Sequence, residues 1–213
     1  MTHPYRWVGW TFVALCGAMI VTRGGAEAPV IEPAAHPQAA PLGPGPTTPA
    51  GWFRRAKPYC NSVEVATLEQ RMGLPPATPE GVGYHAACFA LAGRIDDGRR
   101  LIDNLPEDAR KTAAAIVFDV GHPVADAGDD RSAGPIMELV IDYWPDHYMA
   151  LYHAGMAEYM LGQRELARHN LEAFLRYYHE NDGWRSNAMD VLRRITGPTN
   201  VEADPRRPRE PNE

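Results

Sequence analysis

One short segment carries side chains that could bind a metal ion or transfer protons. Residues 121–132 read Gly-His-Pro-Val-Ala-Asp-Ala-Gly-Asp-Asp-Arg-Ser and contain His122, Asp126, Asp129 and Asp130. Carboxylates are ligands for divalent cations, and carboxylates and imidazoles both act as general acids and bases. A run of carboxylates before a helix is also a common N-terminal cap, so the segment has a structural explanation too. If the chain has a catalytic or metal site, Asp126 and His122 are its first candidates.

The cysteines Cys60 and Cys88 form either a disulfide or part of a metal site. Apart from Cys16 they are the only cysteines of the chain. An even pair in an oxidising compartment favours a disulfide, which would tie the first helix of the domain to the second. The alternative takes Cys60, His85 and Cys88 as ligands, but it lacks a fourth ligand and a Cys-x-x-Cys pair. We therefore predict the disulfide.

The other candidate motifs favour a binding protein over an enzyme. The remaining histidines on the predicted helices fall on different faces and lack His-Glu-x-x-His spacing: His147, His153, His169 and His179. The sequence has no Gly-rich phosphate loop, no Gly-x-Ser-x-Gly motif and no Cys-x-x-Cys-His haem motif. A formal net charge of −6 argues against a nucleic-acid partner, which would require a concentrated basic face. We expect no catalytic residue and no cofactor.

The first 26 residues have the pattern of an export signal. An apolar run from Trp7 to Val21 precedes Gly24 and Ala26, small residues that permit cleavage. A run of 15 residues is short for a bilayer span, although residues 7–21 could also remain as an uncleaved membrane anchor. In both cases the rest of the chain is exported, either as a periplasmic protein or as one anchored to the membrane and facing the periplasm.

The remainder divides into a linker, a helical domain and a tail. Pro, Ala, Gly and Thr dominate residues 29–51, which predicts a linker over residues 27–58. Apolar residues then recur at helical spacing over residues 59–196, beginning with a helix over 61–72, and no strand pattern competes. The tail over residues 197–213 is rich in Pro and Arg and is predicted to be disordered. The expected fold class is all-α.

A 34-residue period organises the predicted helices. Each unit reads Gly-x6-Gly-x4-Ala-x3-apolar, and this pattern resembles the tetratricopeptide repeat family. Five pairs of similar residues lie 34 positions apart: Gly121 and Gly155, Gly128 and Gly162, Ala133 and Ala167, Met137 and Leu171, and Val140 and Phe174. A weaker first unit fits after a one-residue slip, with Ala86, Gly93, Gly98 and Ile102.

The resemblance implies a short solenoid of antiparallel helix pairs that stack because one pair cannot cover its own apolar face. It gives repeats at about 80–113, 114–147 and 148–181, with a capping helix at 186–195. Members of the family generally bind peptides or protein segments in a concave groove lined by their first helices. The analogous groove residues in this chain are Phe118, His122, Asp126, Tyr152, Met156 and Tyr159. Some of them could instead be core residues between helices.

Three functions are therefore open. The first is a non-enzymatic adaptor or scaffold of the cell envelope that binds a protein or peptide in the groove. The second is a metal-dependent hydrolase or an ion-binding protein that uses the loop from His122 to Asp130. The third is a structural subunit of an envelope complex, whose repeats are permanently covered by a partner.

Overall fold

The computed structural model describes residues 48–197, and the regular structure within them is entirely helical. The all-α prediction is therefore confirmed for this part of the chain. None of the described helices is long and apolar enough to cross a membrane. The predicted signal or anchor (1–26), most of the predicted linker and the tail beyond residue 197 lie outside the described residues. The helices are α1 (Pro49–Ala56), α2 (Leu68–Met72), α3 (Pro79–Leu91), α4 (Ile95–Asp103), α5 (Glu107–Asp126), α6 (Asp130–Tyr143), α7 (Tyr148–Met160), α8 (Arg164–Tyr177) and α9 (Gly183–Thr196), with short 3-10 turns at Lys57–Tyr59 and Val65–Thr67.

Helix α1 corrects the predicted boundary of the linker, which was placed at residue 58. Thr48 caps the helix, its side-chain oxygen accepting from the Gly51 amide at 3.2 Å, and Pro49 occupies the first turn. Threonine before proline is a favourable helix start, because the cap satisfies a free amide and proline has none to satisfy. The Trp52 indole is buried and donates to the Gly73 carbonyl at 3.0 Å. The domain therefore begins about ten residues earlier than composition indicated.

The predicted helix over residues 61–72 is wrong as one continuous element. The capping interaction is present, since the Asn61 side-chain oxygen accepts from the amides of Val63 at 3.1 Å and Glu64 at 3.0 Å. The chain then makes a 3-10 turn over Val65–Thr67, and α-helical geometry starts only at Leu68. A good cap satisfies the first amides of a helix, but it does not commit the following residues to one hydrogen-bonding pattern.

The same turn joins α3 to α4, α5 to α6 and α7 to α8. In each, a glycine with φ between 76° and 79° ends the first helix: Gly93, Gly128 and Gly162. Its amide donates to the carbonyl three residues back, and the next amide donates five residues back, as Gln163 does to Glu158 at 2.8 Å. This is the Schellman termination, which needs the left-handed conformation that glycine adopts most easily. The turns lie 35 and 34 residues apart, which agrees with the repeat pattern and its one-residue slip.

Close approach between the two helices of a pair explains the other repeated glycines. A Cβ atom at Gly155 would lie 2.7 Å from Cγ of Leu171, and one at Gly121 would lie 2.5 Å from Cγ2 of Ile136. In the first pair, Gly98 stands where the pattern has alanine, and a Cβ there would lie 3.0 Å from a backbone oxygen of α3. The weaker first unit therefore departs from alanine at a position where the helices already touch.

The predicted boundary between residues 113 and 114 falls inside α5 and is wrong. Helix α5 has 20 residues, whereas α3 and α7 have 13 each. The extra length lies at its N-terminus, where Pro106 is followed by Glu107 and Asp108, which favour an early start beside the positive end of the helix dipole. The observed pairs span 79–103, 107–143 and 148–177, and α9 stands where a capping helix over 186–195 was predicted.

Consecutive helices from α3 to α8 pack against each other, and α3 also packs against α1 and α5. Buried side chains of α3 to α7 form the central apolar core, and α7, α8 and α9 enclose a second one around Leu171 and Phe174. A third core lies between α1, α2 and α3 and includes Cys60 and Cys88, which form the predicted disulfide. Closing a loop of this length contributes roughly 3–4 kcal/mol in the chain-entropy account. Because both thiols are in the bond, the alternative metal site with His85 is wrong.

Candidate functional site

The C-terminal end of α5 carries the two first candidates for a catalytic or metal site. His122 and Asp126 are one helical turn apart, so their side chains lie on the same face of the helix. Nε2 of His122 is 3.5 Å from Oδ1 of Asp126, too far for a strong hydrogen bond. The Asp126 side chain is 52% exposed, and the His122 side chain is about a third exposed. The pair therefore stands at the protein surface, with one side open to solvent.

His153 of α7 completes a cluster with these two residues. Its Nε2 atom lies 3.9 Å from Oδ1 of Asp126, and its ring centroid lies 4.8 Å from that of His122. Its side chain is only 7% exposed, and burial, with a smaller effect of His122, lowers its pKa to about 4 against the opposing effect of Asp126. The imidazole is therefore neutral at neutral pH. One potential ligand atom from each residue can be chosen so that all three lie within 4.8 Å of one another.

The two histidines of this cluster each have one nitrogen without a protein hydrogen-bond partner among the described residues. Nε2 of His122 and Nε2 of His153 are both buried, and neither has a hydrogen-bond partner among the described residues. A buried polar atom without a partner costs free energy and is uncommon in folded proteins. Two nitrogens and one carboxylate oxygen converging from two helices can ligate a divalent transition metal.

An aromatic surface adjoins the cluster. The ring of Phe118 stacks on His122 with centroids 4.8 Å apart and contacts His147 at 4.1 Å, and His147 meets Trp144 at 4.4 Å. On the other side, the indole of Trp184 lies 5.7 Å from the His153 ring. We call this surface the aromatic–histidine patch, and it comprises Phe118, His122, Trp144, His147, Tyr148 and Trp184. Tyr148 and Trp184 are its most accessible rings, 42% and 37% exposed.

His147 has a structural role within the patch. Its Nδ1 atom accepts from the Ala150 amide at 3.2 Å and so caps the N-terminus of α7. Burial lowers the pKa of His147, which keeps Nδ1 free to accept, although the carboxylates Asp119 and Asp146 oppose this effect. The cap fixes the orientation of the ring against which Phe118 packs.

The predicted groove is only partly assembled. Phe118, His122 and Asp126 lie together as expected. Tyr152, however, is 5% exposed and packs edge-on against Phe174 and Trp184, so it belongs to the core and is not a free groove contact. Met156 and Tyr159 are half-buried and pack against the same core. Helix α7 contacts α6, α8 and α9, and this leaves little of its surface for a partner.

The other two carboxylates of the loop do not join the cluster. Asp129 caps α6, and its Oδ1 atom accepts from the Ser132 amide at 3.2 Å. Asp130 stands in the first turn of α6, where burial, with the neighbouring Asp129 charge, raises its pKa. Capping therefore explains Asp129, and Asp130 lies in the first turn of the same helix, whereas Asp126 does neither.

A second cleft lies on another side of α7. Glu158 is 2% exposed, and its carboxylate accepts two hydrogen bonds from Nδ2 of Asn170, at 2.8 and 3.0 Å. Burial raises the pKa of Glu158 to about 7; the Asn170 hydrogen bonds oppose this shift, and the neighbouring Glu138 adds to it. The cleft has a volume of about 250 Å³, and its lining also includes Arg99, Ile141, Asp142 and Leu166. Both oxygens of its buried carboxyl accept a hydrogen bond, unlike Nε2 of His122 and of His153.

Sequence reasoning missed His153, Trp144, His147, Tyr148 and Trp184. The 34-residue period contained one usable indication that His153 lies near His122. It aligns His153 with Asp119, which is one turn before His122 on α5. Trp184 could not be placed, because α9 begins three residues earlier than the predicted capping helix. Its start is set by Asp182, whose side chain accepts from the Arg185 amide at 3.2 Å.

Comparisons of this chain with protein-family models, with curated proteins and with solved structures find no match.

Proposed function

We propose that this chain is an exported, non-enzymatic binding module built from three tetratricopeptide-like helix pairs. The recurrence of one glycine turn and one close helix contact in each pair supports the repeat assignment. The Cys60–Cys88 disulfide supports an oxidising compartment such as the periplasm, since such bonds are typical of exported proteins. The predicted membrane tether over residues 7–21 remains a proposal.

The proposed binding role rests on the aromatic–histidine patch. Aromatic side chains are enriched at protein interfaces because they offer a large rigid area with a small loss of conformational freedom. The rings of the patch run from the C-terminal half of α5 to α9 through successive contacts, as between Phe118 and His147, instead of being scattered singly. We therefore place the proposed binding surface at this patch and no longer at Tyr152, Met156 and Tyr159.

The chemistry of the patch indicates what it would bind. Asp126 is part of the adjoining cluster, and Asp119 and Asp146 are close enough to His147 to influence its pKa. The ammonium of Lys111 already lies 4.3 Å from the ring centroid of Trp144 and 4.0 Å from a carboxylate oxygen of Asp146. A cation above a ring and beside a carboxylate is a favourable arrangement. We therefore propose that the occupant is a peptide segment with apolar side chains and at least one Arg or Lys.

Panning a random peptide library of about 12 residues on the immobilised protein tests this proposal. We expect enriched peptides that combine apolar and basic residues and bind the protein in solution. Trp184→Ala and Tyr148→Ala should each weaken binding about tenfold or more, because each removes an aromatic anchor. Leu166→Ala is the matched control, since Leu166 is similarly exposed but lies on the Glu158 cleft.

Failure to enrich peptides, or enriched peptides whose affinity the two aromatic variants leave unchanged, would refute the patch as the binding surface. Circular dichroism and thermal melting of each variant must match the parent, because Trp184 also contacts the buried Tyr152. A loss of affinity in a variant that keeps its helicity then reports the surface itself.

A structural subunit of an envelope complex is the alternative to an adaptor. Several apolar side chains are exposed outside the patch, among them Met160, Leu161 and Leu166. A permanently covered subunit should aggregate when it is produced alone, because large exposed apolar surfaces associate. A soluble, monomeric chain in sedimentation analysis favours the adaptor. The remaining alternative is a metal-dependent hydrolase or an ion-binding protein. Ion binding is supported by the convergence of His122, Asp126 and His153.

A further inference from the structure

We propose that His122, Asp126 and His153 form a binding site for a single divalent transition-metal ion, with Zn²⁺ as the reference ion. This site does not depend on the peptide-binding proposal. Imidazole nitrogens and a carboxylate oxygen are the ligand types of open zinc sites and of two-histidine, one-carboxylate iron sites. The same residues contain too few oxygen donors for a calcium site, which takes six to eight oxygen ligands.

The distances fit a site that closes around an ion through small side-chain movements. Zinc bonds to nitrogen and oxygen are about 2.0–2.2 Å, so two ligand atoms at a tetrahedral angle lie about 3.4 Å apart. The observed separations from Oδ1 of Asp126 are 3.5 Å to Nε2 of His122 and 3.9 Å to Nε2 of His153. The first needs almost no change, and the second shortens by about half an ångström. The three ligand atoms lie within 4.8 Å of one another, so the two imidazole nitrogens must approach each other by up to about 1.4 Å through side-chain rotation.

The buried nitrogen of His153 indicates a ligand independently of the distances between the three residues. Its side chain is more than nine-tenths buried, and its Nε2 atom is directed toward Asp126 with no hydrogen-bond partner among the described residues. A metal ion at this point would satisfy this nitrogen and that of His122 together.

His85 is a useful contrast within the same chain. Its Nε2 atom is also buried and without a hydrogen-bond partner among the described residues. It has one carboxylate neighbour, Glu69 at 3.5 Å, and the nearby cysteines are in the disulfide. One histidine and one carboxylate do not make a site, so convergence of three ligands from two helices distinguishes the proposed site from an unpartnered histidine.

The surroundings hold the ligands in place and leave one side open. Phe118 stacks on the His122 ring, and Tyr152 and Trp184 contact the His153 ring at 5.4 and 5.7 Å. These contacts limit the rotation of both imidazoles. The exposed side of Asp126 faces solvent, so the site offers three protein ligands and a position for water or for a donor from another molecule.

The test is a Zn²⁺ titration of the tag-free full chain, with its disulfide intact and its metals first removed by a chelator. Isothermal titration calorimetry should give one ion per chain. His122→Ala and Asp126→Ala should each weaken binding by more than about 100-fold, because each removes a direct ligand. Co²⁺ in place of Zn²⁺ should give visible absorption bands in the parent protein that both variants lose.

Three control variants separate this site from other polar groups of the chain. Asp129→Ala removes a helix cap in the same loop, His169→Ala removes an exposed histidine, and His85→Leu removes the other unpartnered one. All three should keep one ion per chain with unchanged affinity. The proposal is overturned if the parent protein binds well below one ion per chain. It is also overturned if a variant in which both His122 and Asp126 are alanine binds as the parent does, or if the Asp129 or His85 variant abolishes binding.

Discussion

Helix α7 carries two buried ionisable side chains, His153 and Glu158, whose surroundings differ in kind. Both carboxylate oxygens of Glu158 accept hydrogen bonds from Asn170, and the group is enclosed by α6 and α8. His153 lies beside His122 and Asp126 at the C-terminal end of α5, and its Nε2 atom has no hydrogen-bond partner within the described residues. The two groups are five residues apart on one helix, and Glu158 has a hydrogen-bond donor for both oxygens, whereas Nε2 of His153 has none among the described residues. We infer that Glu158 stabilises the fold and that His153 serves a binding site.

The largest effect that follows from this comparison is the loss of the Glu158 partner. Asn170→Ala should destabilise the protein by about 2–4 kcal/mol, because it leaves a buried carboxylate without its donor. Chemical denaturation followed by circular dichroism measures this change. His169→Ala, an exposed neighbour on α8, should change stability by less than about 0.5 kcal/mol. Equal effects of the two variants would contradict a structural role for the Asn170–Glu158 pair.

The two residues should also give stability opposite dependences on pH. The pKa of Glu158 is raised from 4.5 to about 7, so the folded state keeps a proton that the unfolded state loses. Its contribution is therefore present at low pH and is lost as pH rises from about 4.5 through 7. The pKa of His153 is lowered from 6.5 to about 4, so its contribution is present above pH 6.5 and is lost as pH falls toward 4.

Two variants separate these dependences in chelator-treated protein. Relative to the parent, Glu158→Gln should gain about 2 kcal/mol of stability between pH 5 and pH 8. His153→Leu should show the reverse, with an advantage over the parent at pH 5 that shrinks by about 2 kcal/mol at pH 8. Denaturation curves at both pH values measure each difference. Parallel pH profiles of parent and variants would mean that neither burial controls titration.

The smallest expected effect is that of His153→Leu at pH 8 without metal. Replacing an unpartnered buried imidazole by an apolar side chain of similar size should leave stability unchanged or raise it by up to about 1 kcal/mol. Adding Zn²⁺ at about 100 times its Kd should then stabilise the parent by about 2.7 kcal/mol and leave the variant unchanged. A strongly destabilised variant would instead assign His153 to the fold, and the contrast with Glu158 would fail.

Local patterns in the sequence predicted the parts of the fold that depend on short-range chemistry. The 34-residue spacing of Gly128 and Gly162 was part of the repeat pattern, and in the structure each of these glycines supplies the left-handed residue that ends a helix. Similar spacing of Gly121 and Gly155 identified close helix contacts. The repeat boundary at residue 113 was wrong because the period alone placed it, although Pro106 and the acidic residues after it predict a helix that starts earlier.

The sequence predicted only the part of the site that lies on a single helix. His122 and Asp126 are four residues apart on α5, so their proximity follows from helical geometry. His153 joins them from α7, and its position depends on how the two helix pairs stack, which no local pattern states. Tyr152 was assigned to a groove by analogy with the repeat family, but α7 is apolar on most sides and the sequence does not say which side its neighbours cover.

The most direct test of the proposed binding site is a crystal structure of the protein grown with Zn²⁺, with anomalous diffraction recorded on both sides of the zinc absorption edge. We expect one strong anomalous peak about 2.0–2.2 Å from an imidazole nitrogen of His122, an imidazole nitrogen of His153 and a carboxylate oxygen of Asp126. A map without a peak there, or with zinc bound only at other carboxylates and histidines of the surface, would contradict it.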